Sequence, residues 1–430
     1  MKPQNFEESL VWYWIISTYV FYFIGILYPV NFVLAWILFF YLCKRLWNQT
    51  AHTSIEKRIK IYWIHWVWIV SILVIAIATI VGCVTYDVGT NQTLRSLINW
   101  FTDWALLALF PLSGCLNIRP QLIYRAVCIL CLQSLILIPF FYLAWILQLP
   151  AHLYSSPIER LIQNGELFYN VNLYGSDYGT NNVRLFLFAP WAPALGLIGN
   201  IYFFLALEEP NKKWRWIGIV SSLAMSIVSV SRLSLIALPI VFTLVLLLTK
   251  ITKPTTQIAI GFVSFLAGIF STALVTTIKD VKEAFYNARP DSSRVHEALG
   301  VIALEKWKEA PIWGHGFREA PGPKVLAEMP IGSHHTWFGL LFVKGIVGFI
   351  AFLVPIVLSF IVLMIKAQKS TTARVALYFL VTLLLFTFND SQEALGYLYY
   401  PGLIIMGIAF KEEVQPRKSS LHKKPEAAYT

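Results

Sequence analysis

Charge is the first thing this chain lacks. Asp, Glu, Lys and Arg make up only 13% of its 430 residues, against about a quarter in an ordinary globular protein. No polar stretch is long enough to coat a soluble domain, which excludes a multidomain cytoplasmic enzyme. Cysteine is nearly missing too. The five (Cys43, Cys83, Cys115, Cys128, Cys131) all lie within or at the ends of apolar runs, whereas a disulfide framework would place them in exterior loops. Cys128-x-x-Cys131 has redox or zinc spacing, but with no second pair or nearby histidine it reads as packing. Neither GxxxxGK[ST] nor a strand-linked GxGxxG occurs, so nucleotide signatures are absent. His296, His315, His334 and His335 match no zinc spacing; no metal and no cofactor are expected. There is no internal repeat. Met1–Leu10 is polar and two apolar runs follow directly, so no cleavable leader is expected.

What the chain has instead is apolar surface. Hydrophobic residues reach 57% and aromatics 15%, including 16 Trp and 20 Tyr, and the mean hydropathy is +0.63. A membrane-spanning helix needs about 20 mostly apolar residues. Roughly twelve runs qualify: 11–27, 29–43, 61–85, 98–117, 123–149, 185–207, 215–231, 233–249, 255–277, 336–365, 375–389 and 394–410. The expected fold is therefore an all-α polytopic membrane helix bundle of about 12 transmembrane helices. Residues 1–410 form one transmembrane domain and 411–430 a polar, disordered cytoplasmic tail.

The net charge of +11 forms no patch or stripe, so no nucleic-acid partner is expected. Its distribution reports topology. The N-terminus, 44–60, 118–125, 208–215, 250–254, 366–374 and the tail from Lys411 carry 21 of the 34 Lys and Arg residues. Basic residues gather on cytoplasmic loops, so both termini are expected in the cytoplasm. Loops 150–184 and 278–335 then lie outside, the larger between the ninth and tenth helices. Within it Ser293–Ala310 reads as a surface helix with Val295, Leu299, Ile302 and Ala303 on one side, stopped by Pro311.

Ionisable groups within spans are costly and usually functional. Arg232 has no other charge near it between Trp216 and Lys250. Lys344 lies within the tenth span and is read equally as snorkelling, helix-pairing or functional; Asp103 reads as a helix-end group. Arg184, Arg294, His334 and His335 fall at the same outer level as Arg232. Arginine offers phosphate a planar fork, and histidine accepts a proton near neutral pH. Together they suit an anionic, lipid-attached, exterior substrate. Arg232 and Arg294 are expected to face one cavity. Gly314-His315-Gly316 reads as an isolated turn.

These residues resemble the O-antigen ligase and O-antigen polymerase membrane proteins. SHHTWFGLLFVKGIVGF is similar to the family pattern of His, then usually Asn, Ser or Gln, nine residues, and G-x-x-G, through His334, His335, Gly345 and Gly348. SRVHEALGVIALEKWKEAPIWGHGF resembles its R-(x)n-P-(x)2-G-x-G-F segment through Arg294, Pro311, Gly314 and Gly316. SVSRLSLIAL resembles its Ser-Arg turn, and RLFLFAPWAPALG the arginine-led start of its middle span. His335 replaces an amide or hydroxyl, Lys344 stands where members often carry an acidic or polar residue, and Pro-Trp-Ala-Pro replaces an Asn-rich motif. The resemblance implies a GT-C-like glycosyltransferase of the bacterial inner membrane, acting without metal at the periplasmic face. The donor would be an undecaprenyl-diphosphate-linked glycan, the acceptor a glycan or lipid A core, with membrane lipid as surroundings. It implies His334 as catalytic base and Arg184, Arg232, Arg294 and His335 as substrate-binding groups. O-antigen ligase is slightly favoured over polymerase; the alternative is a transporter or flippase of lipid-linked glycans.

Overall fold

The computed structural model describes residues 1–50, 58–159, 166–176, 183–251, 253–287, 290–324, 328–333 and 335–413. Helices account for nearly all regular structure, as the composition requires, because a backbone in lipid must satisfy its own hydrogen bonds. In chain order they are α1 (Phe6–Ile16), α2 (Thr18–Ile24), α3 (Leu27–Trp47), α4 (Trp63–Thr85), α5 (Thr90–Asn99), α6 (Leu106–Ser113), α7 (Pro120–Ile146) and α8 (Ala192–Leu207). They continue as α9 (Lys212–Val228), α10 (Arg232–Lys250), α11 (Pro254–Ile269), α12 (Ser271–Asn287), α13 (Pro290–Trp307), α14 (Thr336–Lys366), α15 (Thr371–Phe386) and α16 (Gly396–Lys411). Between α7 and α8 lie two small antiparallel pairs, β1 (His152–Ser155) with β2 (Asn170–Asn172) and β3 (Gly175–Ser176) with β4 (Val183–Arg184).

Every apolar run is occupied by helix, though not always by one straight span. Among the described residues, six helices are individually long and apolar enough to cross a membrane: α3, α4, α7, α10, α14 and α16 with its preceding turn. Helices α11 and α12 make a seventh candidate if counted together, bent by 84°. The run 98–117 is broken. After α5 comes a π turn, Trp100–Trp104, and then α6. Asp103, expected at a helix end, lies instead in that turn, buried, accepting the Tyr28 hydroxyl at 2.6 Å. The surface helix begins at Pro290 rather than Ser293, since proline suits a first helical turn, and ends at Trp307, before Pro311.

Short polar turns set the direction of each crossing. Asn211 Oδ1 accepts the amides of Lys213 and Trp214 to start α9, and Ser370 Oγ accepts Ala373 N–H to start α15. Small residues bring helices close: a Cβ on Gly218 of α9 would lie 2.7 Å from Ala206 of α8 and 2.7 Å from Cys128 Sγ of α7. Cys128 is a packing residue, as its setting in the sequence suggested.

One end of the bundle is tied by charge. Arg119 grips Glu8 with Nε and a terminal nitrogen, each at 2.6 Å, and Lys411 Nζ donates to Leu116 O at 2.9 Å. Arg125 of α7 pairs with Glu209, which is fully buried after α8. Removing one member of such a pair strands the other charge, at a typical cost of about 3–5 kcal/mol. Arg125→Ala is expected to destabilise by that order, read as a lowered melting temperature in detergent, while Lys213→Ala on the exposed rim should change little.

Candidate functional site

The opposite end of the bundle holds the expected site residues that the structure describes, and α14 starts there. His335 is the N-cap of α14; its Nδ1 accepts Phe338 N–H at 3.3 Å and its ring stacks on Phe338 at 3.9 Å. The next residue is anchored from the α15–α16 connection: Thr336 N–H donates to Thr387 O at 3.0 Å, and Thr336 Oγ1 donates to Asp390 O at 2.7 Å. Asp390 Oδ2 also takes Trp191 Nε1 at 2.6 Å, joining this turn to the start of α8. Burial pushes the Asp390 carboxyl up to about 7, against the lowering effect of the Trp191 hydrogen bond.

Helix α14 then breaks at Gly345, with φ 61° and ψ −167°. A break inside a membrane helix strands carbonyls before it and amides after it. The segment Pro311–Gly316 supplies the missing partners. His315 N donates to Phe342 O at 3.0 Å and Gly316 N to Val343 O at 2.8 Å; Ile346 N donates to Pro311 O at 2.9 Å and Val347 N to Ile312 O at 3.2 Å. The turn that looked isolated in the sequence is therefore the plug of a broken helix. Its glycines follow from that: Gly316 has φ +83° and lies against the backbone of Cys83 in α4.

Beside the first half of α14 lies a cavity of about 700 Å³. It is walled by the α5–α6 break, the loop after Gly316 and the turn before α16, with Tyr28 and Phe168 also contributing. Lys344, the last residue before the break, is buried, donates through Nζ to Thr79 Oγ1, and stands 5.8 Å from the centre of the Trp104 ring. Arg318 pairs with Glu393 across the same cavity. Tyr28, Trp100 and Trp104 add aromatic residues to the same lining.

The expected site residues are placed as follows. Arg184 in β4 donates from Nε to Ser229 O at 3.3 Å, and the next residue, Leu185, donates to Val228 O at 3.1 Å. This brings Arg184 to the α9–α10 turn, three residues from Arg232, which opens α10 behind its cap Ser231 and is half-buried. Arg294 is exposed on α13. Gly300 and Ala303 of α13 pack on Phe338 and on the Phe342–Val343 pair of α14 in the same order. The two helices therefore run in parallel, with Arg294 toward the His335 end. His334 lies outside the described residues. Arg184, Arg232, Arg294 and His335 are not among the described residues that line the 700 Å³ cavity.

What sequence reasoning passed over is that cavity. Asp103 and Lys344 were visible as charges in apolar runs but were read as helix-end or ambiguous groups. Glu393 stood just ahead of the last run, and nothing in its spacing pointed to Arg318.

Residues 217–353, from inside α9 to inside the second half of α14, match the family model described as O-Antigen ligase. The match takes in Arg232, Arg294, the Pro311–Gly316 plug, both histidines and Gly345. No curated protein matches the chain. With its apolar helices and this match, the chain is a multi-pass membrane protein that carries a segment similar to the O-Antigen ligase family of glycan-transfer proteins.

Proposed function

We propose that the protein transfers a glycan from an undecaprenyl-diphosphate carrier to a sugar hydroxyl at the periplasmic face of the bacterial inner membrane, with ligase favoured over polymerase. The observation that carries this reading is the meeting of Arg184 with the turn that presents Arg232. Two guanidinium-bearing residues are held at one helix break, at the bundle end where α14 starts behind its cap His335.

In the reaction, the acceptor hydroxyl oxygen bonds to the anomeric carbon while the bond from that carbon to the diphosphate breaks. The electron pair leaves with the diphosphate, and His334 takes the hydroxyl proton. Fixed guanidiniums beside the leaving group stabilise the charge that builds there, without reorganisation. Arg232 and Arg184 would hold the diphosphate, with Arg294 reaching in from α13 and His335 positioning the start of α14. The charged ties at the other bundle end, around Arg119, Arg125 and Lys411, fit a cytoplasmic side. The break in α14 has a counterpart in transporters, but here protein backbone fills it, which favours an enzyme.

Because arginines supply the positive charge, transfer is expected to need neither divalent metal nor nucleotide. Protein reconstituted in nanodiscs with lipid-linked donor and acceptor should release undecaprenyl diphosphate equally with and without EDTA. Loss of activity in EDTA, restored by magnesium, would overturn that mechanism. Arg232→Lys should impair transfer severely at unchanged protein level, since an ammonium cannot reproduce the two-pronged contact. Normal glycan output from that variant would remove Arg232 from the site.

A further inference from the structure

The cavity beside the first half of α14 takes no part in the transfer step above, and its walls suit neither a lipid tail nor a diphosphate. Three cationic residues, Arg95, Arg318 and Lys344, face three carboxylates, Asp103, Glu319 and Glu393. The formal lining charge is thus 3 − 3 = 0, which gives no net attraction for a polyanion. A hydrocarbon chain there would desolvate those charges and offer Glu393 Oε2 no donor. A sugar ring meets both features, laying its C–H face on an indole and turning its hydroxyls to the carboxylates and cations. Glu393 supplies a second, independent sign. One of its oxygens takes Arg318, and the other, Oε2, is buried with no hydrogen-bond partner among the described residues. Such an acceptor calls for a donor. At about 700 Å³ the space falls within the roughly 300–1,000 Å³ of small-molecule sites.

Position assigns the role. Helix α14 packs against both α4 and α15, and α15 packs on α10, which opens with Arg232. His335 lies one turn before Gly339, the first residue of α14 on the cavity wall. His335 therefore lies at the edge of the cavity, on the helix that joins it through α15 to the arginine-bearing α10. A base next to it in sequence would serve a diphosphate on one side and a hydroxyl nucleophile on the other.

We propose that this cavity is the acceptor subsite, holding the neutral terminal sugar of the acceptor glycan against Trp100 and Trp104, with its hydroxyls on Asp103 and Glu393. The assignment rests on the transfer reading for the reaction it serves, but binding itself can be measured without the reaction. The probe is acceptor glycan from producing cells, freed of its lipid, both as isolated and after dephosphorylation with aqueous hydrogen fluoride. Titration into protein in nanodiscs without donor should show binding of both forms. Asp103→Asn keeps an acceptor for Tyr28 yet removes the charge; Gln92→Trp fills the half-exposed rim and guards against a folding defect at Asp103. Each should weaken acceptor binding at least tenfold, raise the acceptor concentration for half-maximal transfer alike, and leave the donor concentration for half-maximal transfer unchanged. Wild-type-like acceptor binding in both variants, or binding by the phosphorylated form alone, would overturn the proposal. If wild type binds the glycan, the variants lose it and no preparation transfers, the cavity assignment stands and the transfer reading falls.

Discussion

His334→Ala is expected to lower transfer by about 10²–10⁴-fold, the usual contribution of a general base, while His335→Asn keeps most of it. The difference comes from the two roles. His335 already serves the helix, because its Nδ1 accepts Phe338 N–H at the start of α14. An asparagine carbonyl is among the preferred groups for that position, and the family pattern resembled here usually carries an amide or hydroxyl at it. His334, one residue earlier, occupies the pattern's histidine position. If it takes the acceptor proton, the rate must fall on the acid side as the ring protonates, since an imidazolium has no lone pair to accept one. A phosphate-binding cation would show the reverse, with activity rising on acidification. Transfer measured for both variants across pH separates these. An inactive His335→Asn beside an active His334→Ala would give the chemistry to the other ring.

Gly345→Ala should unseat the site without touching a substrate group. At φ 61° and ψ −167° the backbone lies in a region essentially reserved for glycine, and another residue there costs of the order of 1–3 kcal/mol. The new Cβ would also press on the carbonyl of Ile312, one of the groups that closes the break. Both faults act on the same four backbone hydrogen bonds, which are dearer to lose in lipid than in water. The expected result is a clearly lowered melting temperature and little transfer. Gly261→Ala in α11 is the control, because nothing lies within 4 Å of its Cβ position and alanine favours helix over glycine. Equal stability of the two variants would mean that the plug does not hold α14 in shape.

Several features were legible because they depend on composition along the chain. Spans follow from runs of apolar residues, so α3, α4, α7, α10 and α14 stand where hydropathy put them. Arg232 was conspicuous because nothing near it in sequence could share its charge. Breaks were less legible. The run 98–117 looks uniformly apolar, yet it carries a π turn that buries Asp103 against Tyr28, a partner 75 residues away. No local pattern announces a tertiary hydrogen bond.

The sequence by itself determined that this chain lives in a membrane, roughly where it crosses, and which arginines and histidines resemble a family pattern. Those properties are one-dimensional: hydropathy, charge spacing and short motifs. Only the tertiary structure decided that Pro311–Gly316 plugs the break at Gly345, that Arg184 reaches the turn before Arg232, and that Asp103, Lys344, Arg318 and Glu393 share one cavity. Each joins segments far apart in the chain. Their meeting depends on backbone groups that lipid cannot hydrate and on charges that must find polar neighbours inside the bundle.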